Sequence, residues 1–138
     1  MNDEFRPGLY FWAGLGGAIG SLLRFGISLL WLAWAVGDWP WPTLIVNVLG
    51  SALIGLLAAT TGEAGRWPLR NDHQVFLMVG FCGGLTTFSF VSLELGLMLQ
   101  QGQWGLLVIW MSVSVICWLG AAWAGYIAGL KLNRSGGA

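Results

Sequence analysis

Charge is what this sequence has least of. Asp, Glu, Lys and Arg together make up 9% of its 138 residues, where a soluble domain normally carries about 25%. So few charges, beside 57% hydrophobic residues, cannot cover a water-facing surface, and a soluble fold is all but excluded. Six cations balance six anions, which leaves no basic field to attract nucleic acid. Histidine occurs once, at His73, and cysteine twice, at Cys82 and Cys117. Both cysteines sit inside apolar runs without the paired spacing of a metal site or a disulfide framework, and they read as small buried hydrophobes. No metal-ligand pair at helical spacing, nucleophile elbow or phosphate loop is present. The sequence therefore offers no enzyme motif.

Long apolar runs are what it has in abundance. Charged, Pro-rich and Gly-rich punctuation divides it into four: Leu9 to Val36, Pro42 to Thr61, Val75 to Leu99 and Trp104 to Leu130. Each is long enough to cross the hydrocarbon as a helix, which predicts an all-α integral membrane protein of four spans forming one transmembrane domain, residues 1–138. The connections are short, so consecutive helices should be antiparallel neighbours. Of the ten tryptophans, Trp12, Trp34, Trp39, Trp41, Trp67, Trp104 and Trp123 fall near span ends, where an amphipathic ring prefers the headgroup level. Ala33-Trp34-Ala35 has the form of a signal cleavage site, but Asp3 and Glu4 before the run and Arg24 inside it do not suit a secretory signal.

Four spans put both termini and the middle loop on one side. That side carries Arg6, Arg66, Arg70, Lys131 and Arg134, while the other two loops carry no Lys or Arg. The positive-inside rule then predicts cytoplasmic termini.

Polar residues inside the spans are costly and therefore informative. An ionisable group at the centre of a membrane helix costs about 2.5–3.5 kcal/mol on insertion scales, so it should face protein or water and find a partner. Arg24 in the first span and Glu94 in the third meet this description, either as a pair or each facing a vestibule. In the second span Thr43, Asn47, Ser51 and Gly55 recur every four residues along one face. Ser51 and Gly55 read as close helix packing. The Asn47 carboxamide brings two donors and an acceptor that partners, water or an ion must satisfy. Small-residue ladders (Ala13-Gly17-Ser21 and Gly16-Gly20, then Ala121-Gly125-Gly129) allow close helix approach in the first and fourth spans. Ser112 and Ser114 either line a polar path or bond their own backbone.

The densest signal is Gly80-Phe81-Cys82-Gly83-Gly84-Leu85-Thr86-Thr87-Phe88-Ser89-Phe90. Paired glycines followed by paired β-branched threonines make a poor helix interior, which predicts a third span broken from about Gly83 to Thr87, near its midpoint. Backbone exposed at membrane depth is tolerated only where protein, water or an ion satisfies it, and discontinuous helices serve transporters as ion sites. The alternative is a tight glycine-rich helix crossing. Phe88 and Phe90 can present ring edges, the positive part of the aromatic quadrupole, to an anion; Ser89 and Asn47 add neutral donors.

These residues resemble the small bacterial fluoride channels of the Fluc/CrcB type. The resemblance rests on Gly16-Gly17-Ala18 with Leu23-Arg24-Phe25, on Thr43-Leu44-Ile45-Val46-Asn47-Val48-Leu49-Gly50, and on Gly80 to Ser89, in order and spread over nearly the whole chain. It implies a passive fluoride-selective channel of the bacterial inner membrane, built as an antiparallel dimer with two pores. It further implies that Asn47, Phe88 and Ser89 lie on the fluoride pathway, with Phe90 and Ser114 as further candidates. Arg24 would stand in a vestibule, with Thr43, Thr87 and Glu94 as polar support. Main-chain carbonyls of Gly83 and Thr86 would hold a structural sodium ion.

The family commonly has a second pore phenylalanine three residues after the first, and here that place holds Val91. Phe90, one residue earlier, is turned by about 100° around a helix. The one-sided cations also sit awkwardly with a chain that must insert both ways. Both features suggest one half of a heterodimer of related chains with one pore impaired. A proton-coupled exporter dependent on Glu94 and a non-conducting assembly subunit are the other two readings.

Overall fold

Prolines and polar turns set where the helices begin and end. The computed structural model describes residues 7–34, 39–63 and 65–135. Arg6, the expected end of the first span at Val36, Ala35 of the cleavage-like triplet, and the Gly37-Asp38 part of the first connection lie outside the described residues. Helix α1 (Pro7–Trp34) starts on a proline, and α2 (Trp41–Thr60) has one in its first turn. At those places the missing N–H has no intrahelical partner to lose. The C-terminal end of α2 is closed by Thr60 and Thr61, whose hydroxyls donate to Leu56 O and Leu57 O, each at 2.8 Å.

The third span is composite. It consists of α3 (Asn71–Gln74), a π-helical segment (Val75–Cys82), α4 (Gly83–Leu85) and α5 (Ser89–Gln100). Residues 86–88 lie outside these helical segments, and Thr86 is extended at φ −81° and ψ 157°. Gly83 and Gly84 are helical, so the interruption begins later than the glycine pair predicts. After α5 the chain reverses at Gly102, whose φ of +71° is the left-handed conformation glycine adopts freely. It then runs through α6 (Trp104–Arg134), which carries Lys131 and Arg134 in its last turn, where the helix dipole favours cations. Among the described residues there are four helices long and apolar enough to cross a membrane: Pro7–Trp34, Trp41–Thr60, Asn71–Gln100 and Trp104–Ser135.

Two close crossings hold the helices together, and glycines make both possible. α2 packs on α6, and α1 packs on the π-helical segment and α4, so the main neighbours are alternate spans and not the consecutive ones that the short connections predict; the glycines that let main chains touch lie on the alternate pairs. At the first crossing a side chain on Gly55 would strike the Ala122 carbonyl, and one on Gly125 would strike that of Ala52. At the second, Gly16 and Gly20 lie against the backbones of Phe76 and Phe81, while Gly80 and Gly84 lie against those of Ala13 and Gly17. The glycines of the small-residue ladders therefore stand where main chains meet. Gly84 in particular is required by the approach of α1.

The two ends of the molecule differ in chemistry. At one end the loop after α2 is tied to the end of α6. The Arg66 N–H donates to Asn133 Oδ1 at 3.0 Å and the Arg66 guanidinium to Leu132 O at 3.0 Å. Asn133 Nδ2 donates in turn to Ala59 O at 2.8 Å. At the other end Trp110 meets Trp39 and Trp41 edge to face, with ring centroids 5.1 and 5.8 Å apart.

Candidate functional site

The interruption of the third span borders a cavity of about 360 Å³. α2 contributes Asn47, Gly50, Ser51 and Ile54 to its wall, the third span contributes Cys82, Gly83, Thr86, Thr87 and Phe88, and α6 contributes Trp118. Cys82 is a free, buried thiol. Ser51, expected as a packing contact, instead lines this cavity beside Asn47, while Gly55 of the same stripe lies in the crossing with α6.

Asn47 is the polar centre of this wall. It is 4% exposed, so its carboxamide has to be satisfied within the protein. Its Oδ1 accepts the Thr87 N–H at 2.7 Å, and its Nδ2 donates to the Thr87 carbonyl at 2.9 Å. One side chain thus replaces, for Thr87, the helical partners that the interruption removes. The Thr87 hydroxyl oxygen then accepts the Phe90 N–H at 3.3 Å, at the start of α5.

A second support comes from α1. The Gly84 carbonyl, near the end of α4, accepts from the Ser21 hydroxyl at 3.3 Å and from Arg24 Nε at 3.2 Å. The Arg24 guanidinium carbon lies 5.3 Å from the centroid of the Phe90 ring, within cation–π range. Ser21 and Arg24, three residues apart on one face of α1, form the pair that sequence reading missed; their spacing was the available signal.

Arg24 and Glu94 are not paired. The Glu94 carboxyl accepts a hydrogen bond from Thr43 through Oε1, while Oε2 is buried without a hydrogen-bond partner among the described residues. Glu94 lines a separate cavity of about 590 Å³, together with Trp39, Gln101 and Gln103. The sole ion pair among the described residues is Arg70–Asp72 at 3.5 Å, on the surface.

The aromatic and hydroxyl candidates divide by exposure. Phe88, at 63% exposed, projects from the interruption, and Phe90 is also exposed, whereas Val91 is 1% exposed and points inward. Ser89 is exposed at the start of α5. Ser114 is buried on α6 and lines neither cavity. Trp118, one turn further along α6, does reach the first cavity, and no spacing in the sequence marks it as a wall residue.

Gly83 and Thr86 offer main-chain oxygens as cation donors. Gly83 is exposed, with open space where a side chain would project, so a second chain can approach its peptide closely. The Thr86 hydroxyl donates to Cys82 O at 2.9 Å. Among the described residues no group of His, Cys, Asp and Glu is placed to hold a metal. Main-chain carbonyls are neutral oxygen donors of the kind a hard cation takes, so the residue chemistry here does not conflict with a sodium ion.

Comparison with known proteins agrees with the residue pattern. A family model described as CrcB-like protein, Camphor Resistance (CrcB), matches residues 11–126. A protein of Bradyrhizobium diazoefficiens named fluoride-specific ion channel FluC 1 is 40% identical over 127 residues, covering 91% of this chain and 87% of its own. Proteins named fluoride-specific ion channel FluC are 41% identical in Paramagnetospirillum magneticum, covering 91% and 98%, and 42% identical in Rhodospirillum rubrum, covering 91% and 97%.

Proposed function

The chain belongs to the CrcB-like family, and from that premise we propose that it forms a passive, fluoride-selective channel that lets a bacterium shed cytoplasmic fluoride across its inner membrane. The observation that carries this reading is the cavity at the interrupted third span, where Asn47, Thr87 and Phe88 converge.

Its wall suits a small anion that gives up water reluctantly. Amide N–H groups, hydroxyls and ring edges are neutral or partial donors, which can replace hydration without the full charge that would trap the ion. The one cation nearby, Arg24, lies on the face of Phe90. It draws π density toward itself and leaves the ring edge a better anion donor. Phe88 and Asn47 form the pathway, with Ser89 and Phe90 exposed beside it at the start of α5; Ser114, which lines neither cavity, would meet the ion only beyond it. Thr43 and Glu94 provide polar support at the end bearing the tryptophan cluster, and Thr87 supports the interruption itself, which lies near the bilayer midplane.

Two chains in antiparallel arrangement complete the channel and give two pores. The Gly83 and Thr86 carbonyls of each contribute to a shared sodium ion, which would neutralise the exposed carbonyl dipoles at the contact. A heterodimer of related chains is favoured over a homodimer by one feature. Arg66 is hydrogen-bonded to the end of α6 that bears Lys131 and Arg134, so the cations gather at one end and favour one orientation. Both termini are then cytoplasmic.

Proteoliposomes containing the purified chain, loaded with fluoride and monitored with a fluoride electrode, test the reading. Rapid efflux without any proton gradient is expected. Efflux only when a proton gradient is imposed, or none from this chain alone or with a related partner, would overturn it. A stable homodimer with two conducting pores would overturn the heterodimer.

A further inference from the structure

Asn47 has two hydrogen bonds to a single residue, and that residue sits in the only non-helical stretch of the third span among the described residues. A group that served solely as an anion donor would have no need of this arrangement. Oδ1 is committed to the Thr87 N–H, one Nδ2 proton is committed to the Thr87 carbonyl, and a carboxamide has one further proton to offer. The next residue along the chain is Phe88, which projects into the cavity wall. The one after Ser89 is Phe90, whose N–H is held by the Thr87 hydroxyl oxygen.

We propose that Asn47 is a positioning residue: it clamps the Thr87 peptide at both its N–H and its carbonyl and thereby fixes the orientation in which Phe88 meets the cavity. The clamp replaces two lost helical bonds with a planar pair, so Thr87 loses rotational freedom on both sides of its α-carbon. Ser21 and Arg24 hold the preceding Gly84 carbonyl from α1, and the interruption is pinned from two helices. Its link to permeation rests on the channel reading above; the clamp itself does not.

Amide hydrogen exchange on the purified protein in detergent tests the clamp. Asn47→Ala is expected to speed exchange at Thr87 by about tenfold or more, the scale of one or two net hydrogen bonds. Asn47→Asp, which keeps the acceptor oxygen, is expected to restore much of that protection. An ester in place of the Thr86–Thr87 amide removes the Thr87 N–H and leaves both Asn47 protons as they were; it is assayed in saturating sodium, because the same change weakens the Thr86 carbonyl. That variant is expected to reduce fluoride efflux and its discrimination against chloride, a change that a contact important only for stability would not produce. Unchanged exchange at Thr87 in Asn47→Ala, or wild-type efflux and discrimination in the ester variant, would overturn the proposal. If the unmodified chain passes no fluoride, the channel reading fails, while exchange at Thr87 still decides the clamp.

Discussion

Val91 shows how one side chain's environment limits what its position can do. It is 1% exposed, so the place where the family commonly carries a second pore phenylalanine is here a filled interior site. Forcing a phenyl group into it costs about 1–3 kcal/mol of overpacking. Val91→Phe is therefore expected to lower the thermal midpoint in detergent without restoring an aromatic site; a raised midpoint would show spare room. Phe90 is exposed and rests under Arg24. The two adjacent residues thus face in different directions, as the turn of about 100° per residue requires. The main-chain partner of Arg24, the Gly84 carbonyl, was not legible in the sequence, because a main-chain acceptor leaves no residue-type signal. Asn47 was legible as a buried carboxamide in need of partners, but its actual partner, the Thr87 peptide, was not.

At the scale of elements, the third span departs furthest from a regular helix. The apolar run Val75–Cys82 is π-helical, and nothing in its composition announces this, since a uniformly apolar segment has no polar face to report its period. The glycine pair after it predicts a break, yet both glycines are helical. Their difference lies in what surrounds them: Gly84 abuts the Gly17 backbone, while Gly83 has open space. Gly84→Ala is accordingly expected to separate α1 from α4 and to cost several kcal/mol, read as a large drop in the unfolding midpoint. Gly96 in α5 also has open space. Gly96→Ala should raise the midpoint slightly, by about 0.5–1 kcal/mol of helix propensity. Equal effects of the two substitutions would contradict this account of the crossing.

For the whole molecule, four spans followed from length and apolar content, because membrane thickness fixes how many residues a helix needs. The partners of the helices in space were not legible: short connections predict consecutive helices as neighbours, whereas the first span packs on the third and the second on the fourth, and the small-residue ladders mark only where main chains come close. The scarce charges, balanced to zero over the chain, turn out to be spatially organised. The loop bearing Arg66 is latched to the last turns of α6 by Asn133, which accepts from Arg66 and donates to Ala59 O. Asn133→Ala is expected to free that loop and to speed tryptic cleavage after Arg66; an unchanged cleavage rate would show that the latch is not needed.

On the proposed reading, fluoride passes through the cavity at the interrupted span, beside Asn47 and Phe88. Phe88→Ile keeps an apolar side chain there but removes the ring edge, so the decisive measurement is fluoride efflux from proteoliposomes carrying this variant, beside the unmodified protein and with chloride as a control. Fast fluoride efflux and retained chloride are expected for the unmodified protein, and a loss of fluoride efflux in the variant. Fluoride leaving both at the same rate, or chloride leaving with it, would contradict it.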